Sequence, residues 1–467
     1  MIENFDVAII GSGPAGHSAA IRSAQLKAKT ALIDNSLIGG TCLNRGCIPT
    51  KFLWEVAKTK KKQSKTSSYA ITCANSEFNF SLANSLLKKN ISALRKGLLA
   101  TINSYKIEVI EGTASFKDAN TILIENNNGN RTITAKKIII ASGAEPSIPS
   151  NINIDQSKLL TSNEILKLDK LPQSLLIIGA GAVGVEFASI FSEFGSTVTL
   201  LEIQKQILPS ADIDLATEIE KNLLRQGVKI LKGTNSFDVN FADFEKILVS
   251  SGRRPVLNKL SLNNALINST QNYIPVDEFM CTNIKNIYAA GDVTAKAALA
   301  HVASAQGIAA AENALGAKQT VDYSAIPWAV FSFPQAAWVG QTQNNSQSES
   351  VKFPISANSR AFLENERNGF VKIFFDKISQ VITGASIVGQ NAEELIAVFT
   401  IAIKNKMLIS SLKRELFFHP SISEAINSSC EVANYGAIEL PLCSNPHFVI
   451  GLRTEAKEME AVLTKKL

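Results

Sequence analysis

Three features of the sequence predict an α/β protein that contains parallel sheets and more than one domain. A pattern of apolar strand, glycine-rich turn, helix and second apolar strand occurs twice, which is typical of strand–helix–strand units. The 467 residues exceed what one hydrophobic core usually holds, so two to four domains are expected. With 45% hydrophobic and 19% charged residues, the composition is that of an ordinary soluble globular protein.

The repeated pattern has the spacing of a dinucleotide-binding unit. Its first copy, residues 5–34, reads FDVAIIGSGPAGHSAAIRSAQLKAKTALID, and its second, residues 174–202, reads SLLIIGAGAVGVEFASIFSEFGSTVTLLE. Three glycines allow a tight turn, close approach to a pyrophosphate and helix packing, and an acid 23 positions after the first glycine can bind a ribose. Two Rossmann-like domains are therefore predicted, with a packing turn that binds nothing as the alternative for each. The residues concerned are Gly11, Gly13, Gly16 and Asp34 in the first copy and Gly179, Gly181, Gly184 and Glu202 in the second.

The acid of the second copy indicates which nicotinamide cofactor is bound. A carboxylate at Glu202 suits a free ribose 2′-hydroxyl and would repel a 2′-phosphate. The following residues offer Lys205 but no pair of arginines. The sequence therefore favours NAD over NADP.

A segment directly after the first copy, GGTCLNRGCIPTK (39–51), carries two cysteines, Cys42 and Cys47. Residues five apart in a straight helix are separated by about 7.5 Å along its axis, whereas the Cα atoms of a disulfide lie about 4.4–6.8 Å apart. A bridge therefore requires an irregular turn, which the glycines permit, and a strained, accessible bridge suits redox chemistry. The alternatives are two unrelated buried thiols or zinc ligation. No further cysteine pair supplies zinc ligands, so no metal site is predicted.

Charge and hydropathy patterning exclude several classes of function. The net charge of +6 comes without a basic patch interleaved with aromatic residues, so no nucleic-acid partner is expected. No stretch reaches 18 uninterrupted apolar residues, so no membrane association is expected. The amino terminus, MIENFDVAIIG, lacks a basic leader. We expect a cytoplasmic protein of a prokaryote, or an organelle protein whose transit segment has been removed.

Two dinucleotide sites, a reducible cysteine pair and a nearby lysine, Lys51, together suggest a path for electrons. A dithiol would reduce the cysteine disulfide, the resulting thiolate would reduce a flavin, and the flavin would pass a hydride to a nicotinamide. A nicotinamide does not exchange electrons readily with a dithiol alone, so one of the two dinucleotides is expected to be FAD.

The sequence resembles the flavoprotein disulfide reductases from about Phe5 to about Ser428, and it is most similar to the branch that oxidises dihydrolipoyl groups. The cysteine segment is the most specific motif, and its LNRG interior is typical of that branch. Further motifs of the family are IIIASGAEP (138–146), VSSGRRP (249–255), TNIKNIYAAGDV (282–293), FPISANSRA (353–361) and HPSISE (419–424).

The resemblance implies a role for each matching residue. Cys42 would exchange with substrate, and Cys47 would lie against the flavin as the charge-transfer thiolate. Lys51 would pair with Glu186 near the flavin. The implied FAD ligands are Gly11, Gly13, Gly16, Asp34, Gly40, Thr41, Lys51, Ala114, Gly143, Asp292 and Ala300. The implied NAD ligands are Gly179, Gly181, Gly184, Glu202 and Gly252.

His419 is the candidate general base among the four histidines, His17, His301, His419 and His447. Pro420 fixes the backbone after it, and Glu424, five residues on, can orient the imidazole for removal of a thiol proton. Alone, a His–Pro pair is more often a turn.

The resemblance implies that His419 and Glu424 serve the cysteines of a second copy, so the active unit would be a homodimer. The implied partner is a lipoyl-bearing acyltransferase of a 2-oxo acid dehydrogenase complex or a lipoyl carrier protein of glycine cleavage.

The expected organisation is an FAD domain (1–147), a shortened NAD domain (148–271), a central domain (272–324) and an α+β dimerisation domain with a C-terminal tail (325–467). The NAD domain is expected to be short because relatives usually carry extra strands between Val228 and Arg253.

Phe417 stands where the lipoamide branch often has a second histidine, and the last stretch of the tail is a candidate helix on the dimer surface. A related disulfide or thiol reductase is the alternative function, and a catalytically weak scaffold subunit is the alternative of another class.

Overall fold

The structure, a computed structural model, describes residues 2–72, 77–127, 129–150, 152–270, 272–434 and 436–440. Cys73, Cys443, His447 and the predicted tail helix lie outside these residues. The chain divides into two compact units, which are described separately. Unit 1 comprises Met1–Gly179, Phe194–Ser196 and Asn240–Asp322, and unit 2 comprises Ala180–Glu193, Thr197–Val239 and Tyr323–Leu467. The predicted boundaries of four domains stay a prediction.

The described residues contain strands and helices in alternation over much of their length. The strands are β1 (Glu3–Ile10), β2 (Thr30–Asp34), β3 (Glu108–Glu111), β4 (Thr113–Phe116), β5 (Thr121–Asn126), β6 (Gly129–Ile140), β7 (Ala144–Pro146), β8 (Leu159–Leu160), β9 (Ser174–Ile178), β10 (Thr197–Glu202), β11 (Lys229–Lys232), β12 (Lys246–Val249), β13 (Arg253–Pro255), β14 (Ile287–Ala289), β15 (Trp328–Val330), β16 (Ala336–Gly340), β17 (Ser348–Pro354), β18 (Phe370–Asp376) and β19 (Ile382–Val388). The helices are α1 (Pro14–Gln25), α2 (Gly40–Arg45), α3 (Cys47–Ser64), α4 (Phe80–Ser104), α5 (Ser162–Ile165), α6 (Ala182–Phe194), α7 (Ile213–Arg225), α8 (Ala300–Ala314), α9 (Ser359–Leu363), α10 (Ala392–Lys404), α11 (Ile409–Leu412) and α12 (Glu424–Asn434).

Unit 1 is built around a seven-stranded sheet with the order β3-β2-β1-β6-β5-β4 and with β14 paired to β6. Strands β3, β2, β1, β6 and β14 run parallel, whereas β4 and β5 are antiparallel to their neighbours. Alternate residues of β1 enter different clusters: Ala8 and Ile10 lie in one, and Val7 and Ile9 lie in the other. A strand that is buried on both faces reads as a continuous apolar run, which explains the sequence VAII.

Unit 1 also contains the strands that flank the second glycine turn. Strand β12 pairs in parallel with both β8 and β9. Strand β13 pairs antiparallel with β7, so that Arg254 lies opposite Glu145. This short ribbon carries the end of the VSSGRRP motif.

Unit 2 holds the parallel pair β10–β11 and a five-stranded antiparallel sheet with the order β15-β16-β19-β18-β17. Buried residues of that sheet, including Ile373 and Ile387, form one cluster with Phe399 of α10 and Ile426 of α12. The sheet therefore has helices on its apolar face, as expected for an α+β domain.

The expected shortening of the NAD domain stays a prediction, and the structure describes the segment concerned. Between β11 and β12, residues 233–245 are all described and contain no strand. Two one-turn 3₁₀ helices, Ser236–Asp238 and Phe241–Asp243, make the connection instead.

Candidate active site

The two cysteines lie on different helices. Cys42 is in α2 and Cys47 is the first residue of α3. The helical conformation is interrupted between them at Gly46, which has φ −146° and ψ −116°. The irregular turn that a bridge requires is therefore present. Cys42 is half-buried, Cys47 is exposed, and neither is in a disulfide in this structure. A hydrogen bond with Cys47 and burial raise the pKa of the Cys42 thiol far above its usual range. Such contact is what a pair that alternates between dithiol and disulfide needs.

Asn44, between the two cysteines, fixes the loop that leads into α2. Its side-chain amide donates to the carbonyl oxygens of Leu37, Ile38 and Gly40, each at 3.0 Å. Its oxygen accepts a hydrogen bond of 3.2 Å from Arg95 of α4. The sequence marked Asn44 only as part of the LNRG motif, because these partners cannot be identified from local spacing.

The first glycine turn leaves no room for side chains where the backbone crosses itself. A Cβ atom at Gly16 would lie 1.7 Å from the carbonyl oxygen of Gly11, and one at Gly11 would lie 2.2 Å from that of Ala141. A Cβ atom at Gly13 would meet nothing within 4 Å, immediately before α1 begins at Pro14. Open space at the amino terminus of a 12-residue helix fits a pyrophosphate.

Asp34 ends β2 and closes this turn. One of its carboxylate oxygens accepts the backbone N–H and the hydroxyl of Ser12, at 2.7 and 2.5 Å. The other accepts the backbone N–H and the hydroxyl of Ser36, at 2.8 and 2.9 Å. The Ser12 hydroxyl also accepts the N–H of Gly39, 3.2 Å away, so the turn is connected to the glycines before Cys42.

Five other predicted FAD residues have different surroundings. Lys51 and Asp292 both act electrostatically on the Cys42 thiol. Burial raises the pKa of the Asp292 carboxyl, and Arg253 opposes that shift. Gly143 has φ +71° just before β7, and Ala300 begins α8. Ala114, by contrast, is buried in the sheet core, where it pairs with Ile124.

The second glycine turn repeats the geometry of the first. Gly179 has φ +102°, and a Cβ atom there would lie 2.6 Å from the carbonyl oxygen of Ser250, whereas Gly181 borders open space. In unit 2, the buried Glu202 accepts the backbone N–H of Ala180 at 2.7 Å and that of Gln204 at 2.9 Å. Gly252 has φ +109°.

His419 and Glu424 form a pair in unit 2. The imidazole Nδ1 lies 2.8 Å from Glu424 Oε1, and the side chain of His419 is 74% exposed. The other carboxylate oxygen accepts the N–H of Ser421 at 2.8 Å, and Glu424 itself begins α12. A carboxylate on Nδ1 requires that nitrogen to carry the proton, which leaves Nε2 free to accept one.

Glu186 lies in α6, where it is buried and accepts the N–H of Phe331 at 3.0 Å. Its predicted pairing with Lys51 stays a prediction, as do the cofactor-binding and catalytic roles of the other predicted residues.

Comparison with known proteins decides the family. Residues 5–307 match the Pyridine nucleotide-disulphide oxidoreductase family, and residues 326–430 match its dimerisation domain. The chain belongs to the pyridine nucleotide-disulphide oxidoreductases. The resemblance inferred from the cysteine and glycine motifs is therefore confirmed, and so is the predicted combination of two nucleotide-binding domains with an α+β dimerisation domain.

Relatives of this oxidoreductase align over nearly their whole length. A dihydrolipoyl dehydrogenase of Chlamydia trachomatis is 35% identical over 94% of this chain and 99% of the relative. One from Geobacillus stearothermophilus is 34% identical over 91% and 95%. Among solved structures, the flavoprotein disulfide reductase RclA of Escherichia coli has a TM-score of 0.85, with 29% identity over 93% of this chain and 100% of that chain.

The family membership establishes the cofactors. Pyridine nucleotide-disulphide oxidoreductases of this type use FAD and NAD, so the chain is an NAD-dependent flavoprotein oxidoreductase. Its two glycine turns, with open space at Gly13 and Gly181, fit two dinucleotides. The dimerisation domain supports a homodimer.

The described part of this oxidoreductase contains neither a candidate metal cluster nor a helix that could cross a membrane. In that part, no group of three or more histidine, cysteine, aspartate or glutamate side chains is arranged to hold a metal ion. Over the same residues, no helix has both the length and the apolarity that a membrane crossing requires.

Proposed function

We propose that this oxidoreductase oxidises dihydrolipoyl groups with NAD⁺. The observation that carries the proposal is the end-to-end match to dihydrolipoyl dehydrogenases, which includes 99% of the Chlamydia trachomatis relative. The contact between Cys42 and Cys47 and the 2.8 Å pair of His419 with Glu424 supply the groups that such a reaction needs.

The dithiol step follows from the chemistry of these groups. Nε2 of His419, in a second copy of the chain, accepts the proton of one substrate thiol, and Glu424 holds the imidazole in the required tautomer. The substrate thiolate attacks the sulfur of Cys42, the Cys42–Cys47 bond breaks, and Cys47 leaves as a thiolate. The second substrate thiol then gives its proton to the departing sulfur of Cys42 and attacks the first substrate sulfur, which closes the substrate disulfide. The first proton stays on His419.

When bound, FAD would supply the redox chemistry that connects the cysteines with NAD⁺. The residues that would hold its ADP half are Gly11, Gly13, Gly16 and Asp34, with Thr41, Lys51 and Asp292 near the reactive end. Gly179, Gly181, Gly184 and Glu202 would hold NAD. Each turn offers an unobstructed glycine, a helix amino terminus and a carboxylate, which together match a dinucleotide.

The partner we propose is a lipoyl group on a protein, carried by the acyltransferase of a 2-oxo acid dehydrogenase complex or by a lipoyl carrier protein of glycine cleavage. Lipoyl groups in cells are attached to proteins, and an exposed His419 suits a substrate that arrives on the end of a long arm.

A second candidate is reduction of another disulfide or thiol substrate. It is favoured by the similarity to RclA, which extends over 93% of this chain with a TM-score of 0.85. The two candidates share cofactors and cysteines and differ in the physiological thiol.

The deciding experiment is an anaerobic titration of the purified protein with dihydrolipoamide, followed by addition of NAD⁺, with visible spectra recorded throughout. We expect a long-wavelength thiolate–flavin band that disappears as NADH forms. A band that persists after NAD⁺ is added would locate the fault in the shortened NAD domain. A yellow protein that shows no band with dihydrolipoamide would reject this substrate in favour of the second candidate.

A further inference from the structure

Two adjacent arginines at the start of β13 have different environments. Arg254 is exposed and pairs with Glu145 at 3.0 Å on the surface of the β7–β13 ribbon. Arg253 is half-buried, and its guanidinium donates to Thr41 Oγ1 at 3.4 Å and to the carbonyl oxygen of Ala144. The motif that contains both includes Gly252, a predicted NAD ligand, yet Arg253 contacts the residue next to Cys42.

The two hydrogen bonds of Arg253 connect elements that are distant in sequence. Thr41 precedes Cys42 within α2, and Ala144 begins β7 directly after Gly143. A planar guanidinium can bridge two acceptors in fixed directions, which the ammonium of a lysine does not do. The start of the redox helix is thereby held against the strand that follows a predicted flavin residue.

The charge of Arg253 interacts with one of the two cysteines and with three charged side chains. Asp292, Arg45, Cys47 and Glu145 all act on it electrostatically. Burial lowers the pKa of the Arg253 guanidinium, chiefly opposed by Asp292, but a guanidinium remains protonated at all ordinary pH values.

Two further charged residues act on the Cys42 thiol. Lys51 lowers the pKa of the Cys42 thiol and Asp292 raises it, while Cys47 itself raises it most. Arg253 interacts electrostatically with Cys47 and is a cation fixed by hydrogen bonds to Thr41 and Ala144.

Resting on the proposed function, we propose that Arg253 is a positioning residue for the disulfide exchange, which holds the Cys42 helix through Thr41 and stabilises the thiolate that leaves from Cys47. When the substrate thiolate attacks Cys42, the electron pair of the broken S–S bond goes to the Cys47 sulfur. A fixed cation nearby favours that negative charge. No proton or electron passes through Arg253.

The test compares two substitutions. Arg253→Gln keeps hydrogen-bond donors but removes the positive charge, whereas Arg253→Lys keeps the charge but loses the planar guanidinium that can bridge two acceptors. Arg254→Gln is the matched control on the neighbouring residue. Each protein, reduced with dithiothreitol, is alkylated with iodoacetamide across a pH series, and modification of the Cys47 peptide is followed by mass spectrometry. The pH of half-maximal alkylation should rise by about one unit in Arg253→Gln and stay near the wild-type value in the other two.

Steady-state kinetics test the positioning part. In Arg253→Lys we expect kcat to fall about tenfold, because the start of α2 is less firmly held, with KM for NAD⁺ unchanged. The proposal is overturned if Arg253→Gln alkylates like wild type, or if Arg254→Gln shifts equally. Should Arg253→Gln fail to fold, wild-type kcat in Arg253→Lys would overturn it.

The same measurements separate this inference from the proposed function. Wild-type protein that forms no NADH from dihydrolipoamide, combined with the shifted alkylation profile in Arg253→Gln, would reject the substrate and keep the role of Arg253. Normal NADH formation by wild type, combined with identical alkylation profiles of wild type and Arg253→Gln, would keep the substrate and reject the role of Arg253.

Discussion

The two glycine turns of this chain share their framework and differ in how their acids are bonded. In both, the carboxylate accepts the N–H of the residue after the first glycine and the N–H two residues after the acid itself. For Asp34 these donors are Ser12 and Ser36. For Glu202 they are Ala180 and Gln204. The internal repeat in sequence is thus a repeat in hydrogen bonding.

The difference is made by two serine hydroxyls. Ser12 and Ser36 donate to Asp34 a second time, so four hydrogen bonds reach a carboxylate that offers about four acceptor positions. Among the described residues Glu202 has only its two backbone donors, and two acceptor positions remain for a ribose. The first turn is closed by its own side chains, so Asp34 would serve a cofactor by fixing the turn. The second is open, because its acid keeps two acceptor positions.

The largest effect should come from filling the first turn. In Gly16→Ala the new methyl group would lie 1.7 Å from a backbone oxygen. We expect a loss of at least about 3 kcal/mol in the free energy of unfolding, together with loss of bound flavin. Chemical denaturation and the visible absorbance of the purified protein measure the two effects.

Gly13→Ala is the matched control for this prediction. Gly13 has φ −62°, and a Cβ atom there meets nothing within 4 Å. The variant should unfold like wild type within about 0.5 kcal/mol and yet retain less FAD, because the methyl group occupies the cofactor space. Equal destabilisation by both substitutions would contradict the description of the turn.

The second prediction concerns the open turn. In Glu202→Gln a charged acceptor of a ribose hydroxyl becomes a neutral one, and we expect KM for NAD⁺ to rise about tenfold, or about 1.4 kcal/mol. The flavin spectrum and its reduction by dihydrolipoamide should not change, since this acid lies in the other turn. If NAD⁺ affinity were unaffected, Glu202 would have only a structural role.

The sequence predicted the framework of both turns because glycine spacing and the position of the acid are local properties. It also predicted the break between Cys42 and Cys47, which follows from the reach of a disulfide. It did not predict the second bonds of Ser12 and Ser36, because a serine in a turn is equally compatible with exposure to solvent.

The sequence did not predict that the Arg253 side chain contacts Thr41 and Ala144, for a related reason. The motif GRRP has two arginines, and only the antiparallel pairing of β13 with β7 determines which one lies opposite Glu145 and which one reaches Thr41. Asn44 likewise acts through Arg95, 51 positions away in the sequence. Contacts at this distance depend on tertiary packing and leave no periodic signal.

A third prediction makes the first turn more like the second. Ser36→Ala removes one hydroxyl from Asp34 and keeps the backbone bond. We expect a loss of about 1 kcal/mol in the free energy of FAD binding, measured as faster release of flavin fluorescence in dilute guanidinium. Unchanged flavin release would mean that the ribose or water replaces the lost donor without cost.

The smallest predicted effect concerns His17, which stands six residues after Gly11, as Val185 stands six residues after Gly179. Burial lowers the pKa of the His17 imidazole, whose Nδ1 lies 3.3 Å from the carbonyl oxygen of Ser12. The unfolded chain therefore binds a proton at a higher pH than the folded chain, so stability is complete above the usual histidine pKa of about 6.5 and declines as the pH falls through the lower folded value.

His17→Val copies the second turn and removes this dependence. Between pH 7.5 and pH 5, the wild type should lose more stability than the variant by about 1 kcal/mol or less, since a full unit of pKa shift corresponds to about 1.4 kcal/mol. Urea denaturation of both proteins at the two pH values gives the difference. The sign is the decisive result: a variant that loses more stability than wild type on acidification would mean that the folded protein binds a proton at His17 more tightly than the unfolded chain. In that case the imidazole would act in the turn as a cation close to the predicted pyrophosphate, and the two turns would differ in charge as well as in closure.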